Sequence, residues 1–274
     1  MKKYFYIVVV VFLAFFFIFK NSAATKDVSG DSNKVTVALE QNTQPLSYTN
    51  DKGELVGYEV EIIENVNKVI EGYEIAIESV SAEAAEVGIE SGKYDLVGGG
   101  LFKAEAREKK YLIPTENTGV STIEIYKRAE DEDIQTLEDL VGRKISPVTA
   151  NGGIFNLLTT YNNENKDNQI TIPLGESGEL AQRYQGLADG KYDAVVMPSN
   201  FGADTIIEQL GLDIVTGDEP VQVNGTYFII SKDQKEFKDA FDKAIKKLKD
   251  DGTLSELSKK WFGEDMFQYE ITEQ

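Results

Sequence analysis

The 274-residue chain contains no cysteine and no histidine. Those two absences remove disulfides, zinc–thiolate sites, thiol or imidazole nucleophiles, and imidazole acid–base chemistry. Basic residues are scarce as well: 28 Lys and Arg stand against 47 Asp and Glu, for a net charge of −19. Three of the lysines, Lys2, Lys3 and Lys20, lie in residues 1–24, which hold no acid, so the rest of the chain carries −22. Such a surface repels nucleic acid and anionic lipid, and no DNA or RNA partner is expected. An acidic exported domain accounts for the charge by itself. Hydrophobic content of 41% supplies a core, and the length allows one large or two smaller domains.

Only one long apolar run is present, and it opens the chain. Lys2 and Lys3 precede Tyr4–Phe19, and Asn21-Ser22-Ala23-Ala24 follows with the small residues that a signal peptidase reads. As a helix the 16 residues of Tyr4–Phe19 span about 24 Å, short of the roughly 30 Å hydrocarbon layer. Lys3 and Lys20 can snorkel to the two surfaces. Residues 1–24 therefore read as a signal peptide or membrane anchor. Either the chain is cut near Ala24 and released, or the uncut segment retains it. With no cysteine, lipidation at a cysteine is excluded. Residues 25–33 are polar and read as a tether.

The body alternates strand and helix patterns. Lys34–Leu39 is a β-rich run, and Leu46–Val56 reads as a hairpin around Asp51-Lys52-Gly53. Val60, Ile63, Val66, Asn67 and Ile70 recur at helical spacing, Glu74–Val80 alternates as a strand, and Ala82–Ser91 is helical up to Gly92. The rhythm then repeats, with strands expected at Arg143–Val148 and Thr171–Leu174 and helices at Gly153–Tyr161 and Gly178–Gly190. Gly190-Lys191-Tyr192-Asp193 before Ala194–Met197 matches Gly92-Lys93-Tyr94-Asp95 before Leu96-Val97. Two lobes of like construction follow, each a parallel sheet with helices on both faces. Extended runs at Ser121–Lys127 and Gly225–Ile230 supply the crossings, and Phe237–Leu248 forms a late amphipathic helix.

The densest signal lies between Gly57 and Lys110. Gly57-Tyr58-Glu59-Val60-Glu61-Ile62 opens a helix, Ser91–Val97 enters a strand, and Gly98-Gly99-Gly100-Leu101-Phe102-Lys103-Ala104-Glu105-Ala106-Arg107 follows. A planar guanidinium matches a carboxylate in two hydrogen bonds, and glycines let main-chain N–H groups approach the same anion. The bland alternative is a solvated arginine beside Lys109 and Lys110. P-loop and dinucleotide fingerprints fail, because the glycine run lacks both Lys-Ser/Thr and Gly-x-Gly-x-x-Gly spacing.

In order and spacing this segment resembles the family 3 extracellular solute-binding proteins, receptors of polar amino-acid ABC importers. The resemblance extends from about Lys34 to Phe262, including the ending Asp251–Leu254 and Lys259–Gly263. It implies an α/β, two-lobed periplasmic-binding-protein-like type II fold. Each lobe is then a mainly parallel sheet flanked by helices, joined by a two-strand hinge. Lobe one is assigned to 34–121 plus 225–274 and lobe two to 127–222. The family's ligand carboxylate would be held by Arg107 with help from Gly99 and Gly100. Family positions also place Glu40, Thr43, Ala82, Phe102, Asn151, Gly152, Gly153 and Pro198 at the ligand.

Several of these positions depart from the family's pattern. Phe102 replaces a serine or threonine, Thr43 and Ala82 replace aromatic walls, and Ala150-Asn151-Gly152-Gly153 replaces a Gly-Thr/Ser-Thr stretch. Pro198 stands where an aspartate pairs with an α-ammonium, so either Glu40 or main-chain carbonyls replace it, or the ligand has no ammonium there. Phe155 and Tyr161 read as core or rim, Asp95 and Asp193 as structure-terminating acids, and Glu59 and Glu61 as structural. The expected function is the extracytoplasmic, monomeric, cofactor-free binding component of an ABC importer, with a membrane permease as partner. Its ligand would be an amino acid or amino-acid-like solute, such as cystine, a glutathione-like peptide or an amino-acid derivative. The rival is an enzyme on the same fold, resembling cyclohexadienyl dehydratases, with Glu40 or Glu176 as the acid. A closure-driven sensor domain is a third, weaker reading.

Overall fold

The computed structural model describes residues 33–150, 152–175 and 179–272. The readings of residues 1–24 and of the tether up to Ser32 lie outside the described residues, as do Asn151 and Glu176. Among the described residues no helix is long and apolar enough to cross a membrane.

The alternating residues of the first run become β1 (Asn33–Glu40), with Val35, Val37 and Leu39 fully inside. β2 (Asn42–Thr43), β3 (Ser47–Thr49) and β4 (Leu55–Val56) form a small antiparallel sheet, the last two joined by the expected hairpin. α1 (Tyr58–Val69) buries Ile62, Ile63 and Val66 on one stripe, and β5 (Tyr73–Val80) returns parallel to β1. α2 (Ala82–Glu90) starts at Ser81, whose hydroxyl accepts the Ala84 N–H at 3.3 Å. β6 (Leu96–Leu101) then pairs with β1 in parallel, and α3 (Glu105–Lys110) leads to β7 (Gly119–Arg128).

The second half contains α4 (Gly153–Glu164), α5 (Leu180–Ala188), β8 (Val195–Pro198), α6 (Ala203–Leu210) and β9 (Ile214–Thr216). β10 (Gln222–Ile230), α7 (Lys235–Asp250) and α8 (Thr253–Phe262) close the fold. The strands expected at Arg143–Val148 and Thr171–Leu174 are reduced to isolated parallel bridges, Ile145 to Ala194 and Val148 to Leu174. Pro147 and Pro173 sit in these runs without an N–H, so neither run can sustain a ladder. α6 and β9 carry no counterpart in the sequence reading.

The main strand order is β5-β1-β6-β10-β7-β8, with β9 on β7. Pairing is parallel around β1 and antiparallel where β10 meets β6 and β7. The two crossings are bonded to each other: Gln222–Thr226 of β10 faces Ile123–Gly119 of β7. The apolar core correspondingly gathers into separate clusters. One joins β1, α1, α7 and α8 through residues such as Ile62, Phe228, Phe241 and Leu254; another joins Ile123, Ile145, Leu158 and Val196.

The lobes repeat the same local devices. Asn67 of α1 donates to Ile75 O at 2.7 Å and accepts from Ile75 N at 2.8 Å. Asn162 of α4 makes the same pair of bonds with Ile170, at 2.8 and 2.7 Å. Asp95 accepts the Thr36 N–H of β1 and Asp193 the Lys144 N–H beside the Ile145 bridge, each at 2.8 Å, so both acids fasten a neighbouring extended segment, in keeping with their structural reading. Gly88 and Gly186 admit the rings of Tyr94 and Tyr192, since a Cβ would come within 2.2 and 2.9 Å of them. The repeated Gly-Lys-Tyr-Asp turns are thus wedged under glycines.

Candidate functional site

The carboxyl ends of β1 and β6 bring the first-lobe residues together, where ligands of open α/β sheets bind. Glu40 ends β1, half-buried, and its Oε2 accepts the Thr43 hydroxyl at 2.7 Å. Glu40 Oε1 also lies 3.5 Å from where a Cβ on Gly99 would sit. Ala82 begins α2 two residues beyond Val80, the register partner of Glu40, and is exposed. Phe102 follows β6, half-buried, and packs against the Ile123–Leu158 cluster of the second lobe. Its ring is 3.8 Å from the Cβ position of Gly153. Phe155 and Tyr161 flank the same cluster, which fits their reading as core or rim.

Arg107 sits in α3, half-buried, with Nη1 donating to Phe102 O at 2.7 Å. Burial lowers its pKa from the usual arginine value, and the Glu86 carboxylate opposes that shift. No carboxylate among the described residues forms an ion pair with it. The guanidinium is therefore anchored by one arm to its own loop, leaving the rest of the fork for an anion.

The glycine run behaves differently from the expectation. Gly99 N–H donates to both oxygens of Glu59, at 2.7 and 3.0 Å, and Gly100 N–H to Oε1 at 2.9 Å. A main-chain N–H carries one proton, so the aid expected from Gly99 and Gly100 to a ligand carboxylate is already committed to Glu59. Glu59 is 2% exposed. Burial raises its pKa to about 7, against the pull of the two main-chain donors and with a further push from Glu40. Glu59, structural on its sequence pattern, also organises the glycine loop.

On the second lobe, Gly152 precedes α4 and its N–H donates to Thr149 O at 3.1 Å, while Gly153 is exposed at the first turn. Pro198 ends β8, buried and in register with Ile123 of β7. The 3-10 turn Ser199–Phe201 comes next. Ser199 Oγ accepts the Thr122 N–H at 3.1 Å, and Asn200 is 3% exposed against Gly100. Sequence reasoning passed over Asn200, because an asparagine after Pro-Ser reads as a turn residue. Pro198 was the one signal beside it. No cluster of acids among the described residues has the makings of a metal site.

The model of the bacterial extracellular solute-binding proteins, family 3, matches residues 35–264. Among curated proteins, the L-cystine-binding protein TcyA of Bacillus subtilis is 30% identical over 234 residues, covering 85% of this chain and 82% of that protein. TcyK of the same organism, also L-cystine-binding, is 27% identical and covers 86% of this chain and 87% of its own. A solved structure from work on glutathione import through GshT and the cystine ABC importer TcyBC of Streptococcus mutans is 28% identical. It covers 86% of this chain and 97% of that chain, with a TM-score of 0.69. The probable amino-acid ABC transporter extracellular-binding protein ytmK of Bacillus subtilis gives 25% identity, a TM-score of 0.75, and coverage of 85% and 99%. The chain belongs to the bacterial extracellular solute-binding proteins, family 3, and has their two-lobed type II binding-protein fold.

Proposed function

We propose that this extracytoplasmic receptor binds an amino-acid-like solute between lobes 34–121 plus 225–274 and 127–222 and delivers it to an ABC permease. The ligand is an amino acid or a relative of one, with cystine and a small peptide as the leading classes. The names of the relatives support that choice. The protein acts as a monomer, released or held at the membrane through its N-terminal apolar segment.

The observation that carries this reading is Arg107. It is half-buried, held by Phe102 O, and placed beside a glycine run that faces the second lobe through Phe102 and Gly153. A desolvated guanidinium binds carboxylate more strongly than one in water. Isothermal titration with L-cystine and with glutathione tests it. Arg107→Ala is expected to weaken binding by roughly 2–5 kcal/mol with little change in stability. Unaltered affinity would remove Arg107 from the site.

The reading as a dehydratase-like enzyme has no comparable support. Glu40 is bonded to Thr43 rather than poised alone, and the curated relatives named above are binding proteins. Ligand recovered unchanged after incubation with the protein is the expected result, and product formation would reverse the assignment.

A further inference from the structure

Asn200 is a buried polar group in the cleft to which the family resemblance assigns no role. It lies on the second lobe, in the turn between β8 and α6. Its side chain is 3% exposed, and neither Oδ1 nor Nδ2 has a hydrogen-bond partner. Buried amides are ordinarily paired, since an unpaired one forfeits its hydration with nothing in return.

The direction of the amide is set by its surroundings. Gly100 has φ 62°, and a Cβ there would lie 2.5 Å from Asn200 Nδ2. Only a glycine lets the amide reach the strand end of the first lobe. The turn is fixed to β7 through Ser199 and Thr122, and Gly202 just beyond it rests 3.6 Å, by its Cβ position, from Gln44 O. Asn200 thus projects from lobe two against the glycine run of lobe one. Pro198, two residues earlier, has no polar side-chain atom to offer.

We propose that Asn200 is the specificity-determining contact of lobe two and takes a neutral amide of the ligand, a peptide or N-acyl group, over a free α-ammonium. This rests on the receptor reading above and adds the class of ligand. A carboxamide presents an acceptor and a donor side by side on one planar head. That arrangement complements the N–H and C=O of one residue in a peptide ligand, as Asn67 holds those of Ile75. An ammonium has three donors and a full charge, and a single neutral oxygen leaves that charge uncompensated once water is excluded. The carboxylates near the glycine run, Glu40 and Glu59, both belong to lobe one, and Glu59 is committed to Gly99 and Gly100. Charge recognition falls to lobe one and amide recognition to lobe two.

The test compares two probes that differ in amide content: glutathione, with two amide bonds and a single free α-ammonium, and L-cystine, with no amide bond and a free α-ammonium at each end. Titration calorimetry gives the ratio of their affinities for the unmutated protein, Asn200→Asp, Asn200→Ala and Arg107→Ala. The unmutated protein is expected to favour glutathione, and Asn200→Asp to shift the ratio toward cystine by about tenfold or more. Asn200→Ala, which removes both polar atoms without adding charge, shifts it in the same direction by a smaller factor. An amide that merely packs between the lobes would lower both affinities equally. An unchanged ratio in both Asn200 variants, or tighter binding of cystine by the unmutated protein, overturns the proposal. If Arg107→Ala still weakens both probes in that case, the receptor reading stands and only the role of Asn200 falls. Failure of the unmutated protein to bind either probe removes both leading ligand classes and overturns this proposal with them.

Discussion

Glu59 occupies the first turn of α1 with its carboxylate turned under the β6 end, where it receives the N–H groups of Gly99 and Gly100. Its pKa of about 7 exceeds the unfolded value near 4.5, because burial disfavours the charged form more than the donors favour it. The sign of the linkage follows. Folding favours the protonated acid, so its contribution is fully present below the unfolded pKa and is lost as pH rises through about 7. Between those limits the loss is on the order of 3 kcal/mol for this one group. Denaturant unfolding from pH 4 to 8 is therefore expected to show a downward slope that Glu59→Gln removes. Identical slopes in the two proteins would mean the acid is solvated. Replacement of Gly100 by a larger residue would disturb Glu59 and Asn200 together, since both converge on that one residue.

At the scale of elements, α1 and α4 are each fastened by one asparagine to the chain that follows, β5 after α1 and the extended segment at Ile170 after α4. Asn67 and Asn162 each satisfy both polar groups of a residue eight positions on, Ile75 and Ile170. Removing the carboxamide leaves a main-chain donor and acceptor half-buried without partners. Asn67→Ala and Asn162→Ala are each expected to cost about 1–3 kcal/mol in chemical denaturation. Lys246→Ala, breaking an exposed pair with Asp250, should leave stability almost unchanged. A loss no larger for the asparagines than for Lys246 would refute the pinning role. The helix spacing that buries Ile63 and Val66 was readable from α1 directly, and so was the hairpin at Asp51-Lys52-Gly53. The asparagine pins were not, because a polar residue within an amphipathic repeat gives no sign of its partner. Pro147 and Pro173 carry in the sequence the reason that two expected strands shrink to bridges, although the apolar residues around them have strand character.

For the whole molecule, β7 and β10 supply a two-stranded connection bonded from Gly119 to Ile123, and the lobes touch through Phe102 and Gly153 and through Gly100 and Asn200. Two lobes joined by so narrow a ribbon are expected to open and close as units. A ligand with contacts on both sides favours the closed arrangement by its difference in affinity for the two. Solution scattering with saturating glutathione is expected to give a smaller radius of gyration than the protein alone. An unchanged profile with a ligand bound would mean that the lobes do not move about this connection.

The strand–helix alternation of the first half, the repeated Gly-Lys-Tyr-Asp turns, the two crossings and the family itself were determined by the sequence alone, because they are carried by short-range periodicity and by spacing along one chain. Arg107, Glu40 and Pro198 were visible for the same reason: each occupies a recognisable place in a local pattern. Tertiary structure decided what their neighbours do. Whether the N–H groups of Gly99 and Gly100 serve a ligand or Glu59 depends on a helix some 40 residues earlier. That Asn200 ends against Gly100 depends on one lobe meeting another across the cleft. Hydrogen bonds between distant segments are made only after the chain is folded, and no periodicity records them. The sequence therefore shows which residues are able to bind, and the packing decides which of them are free to do so.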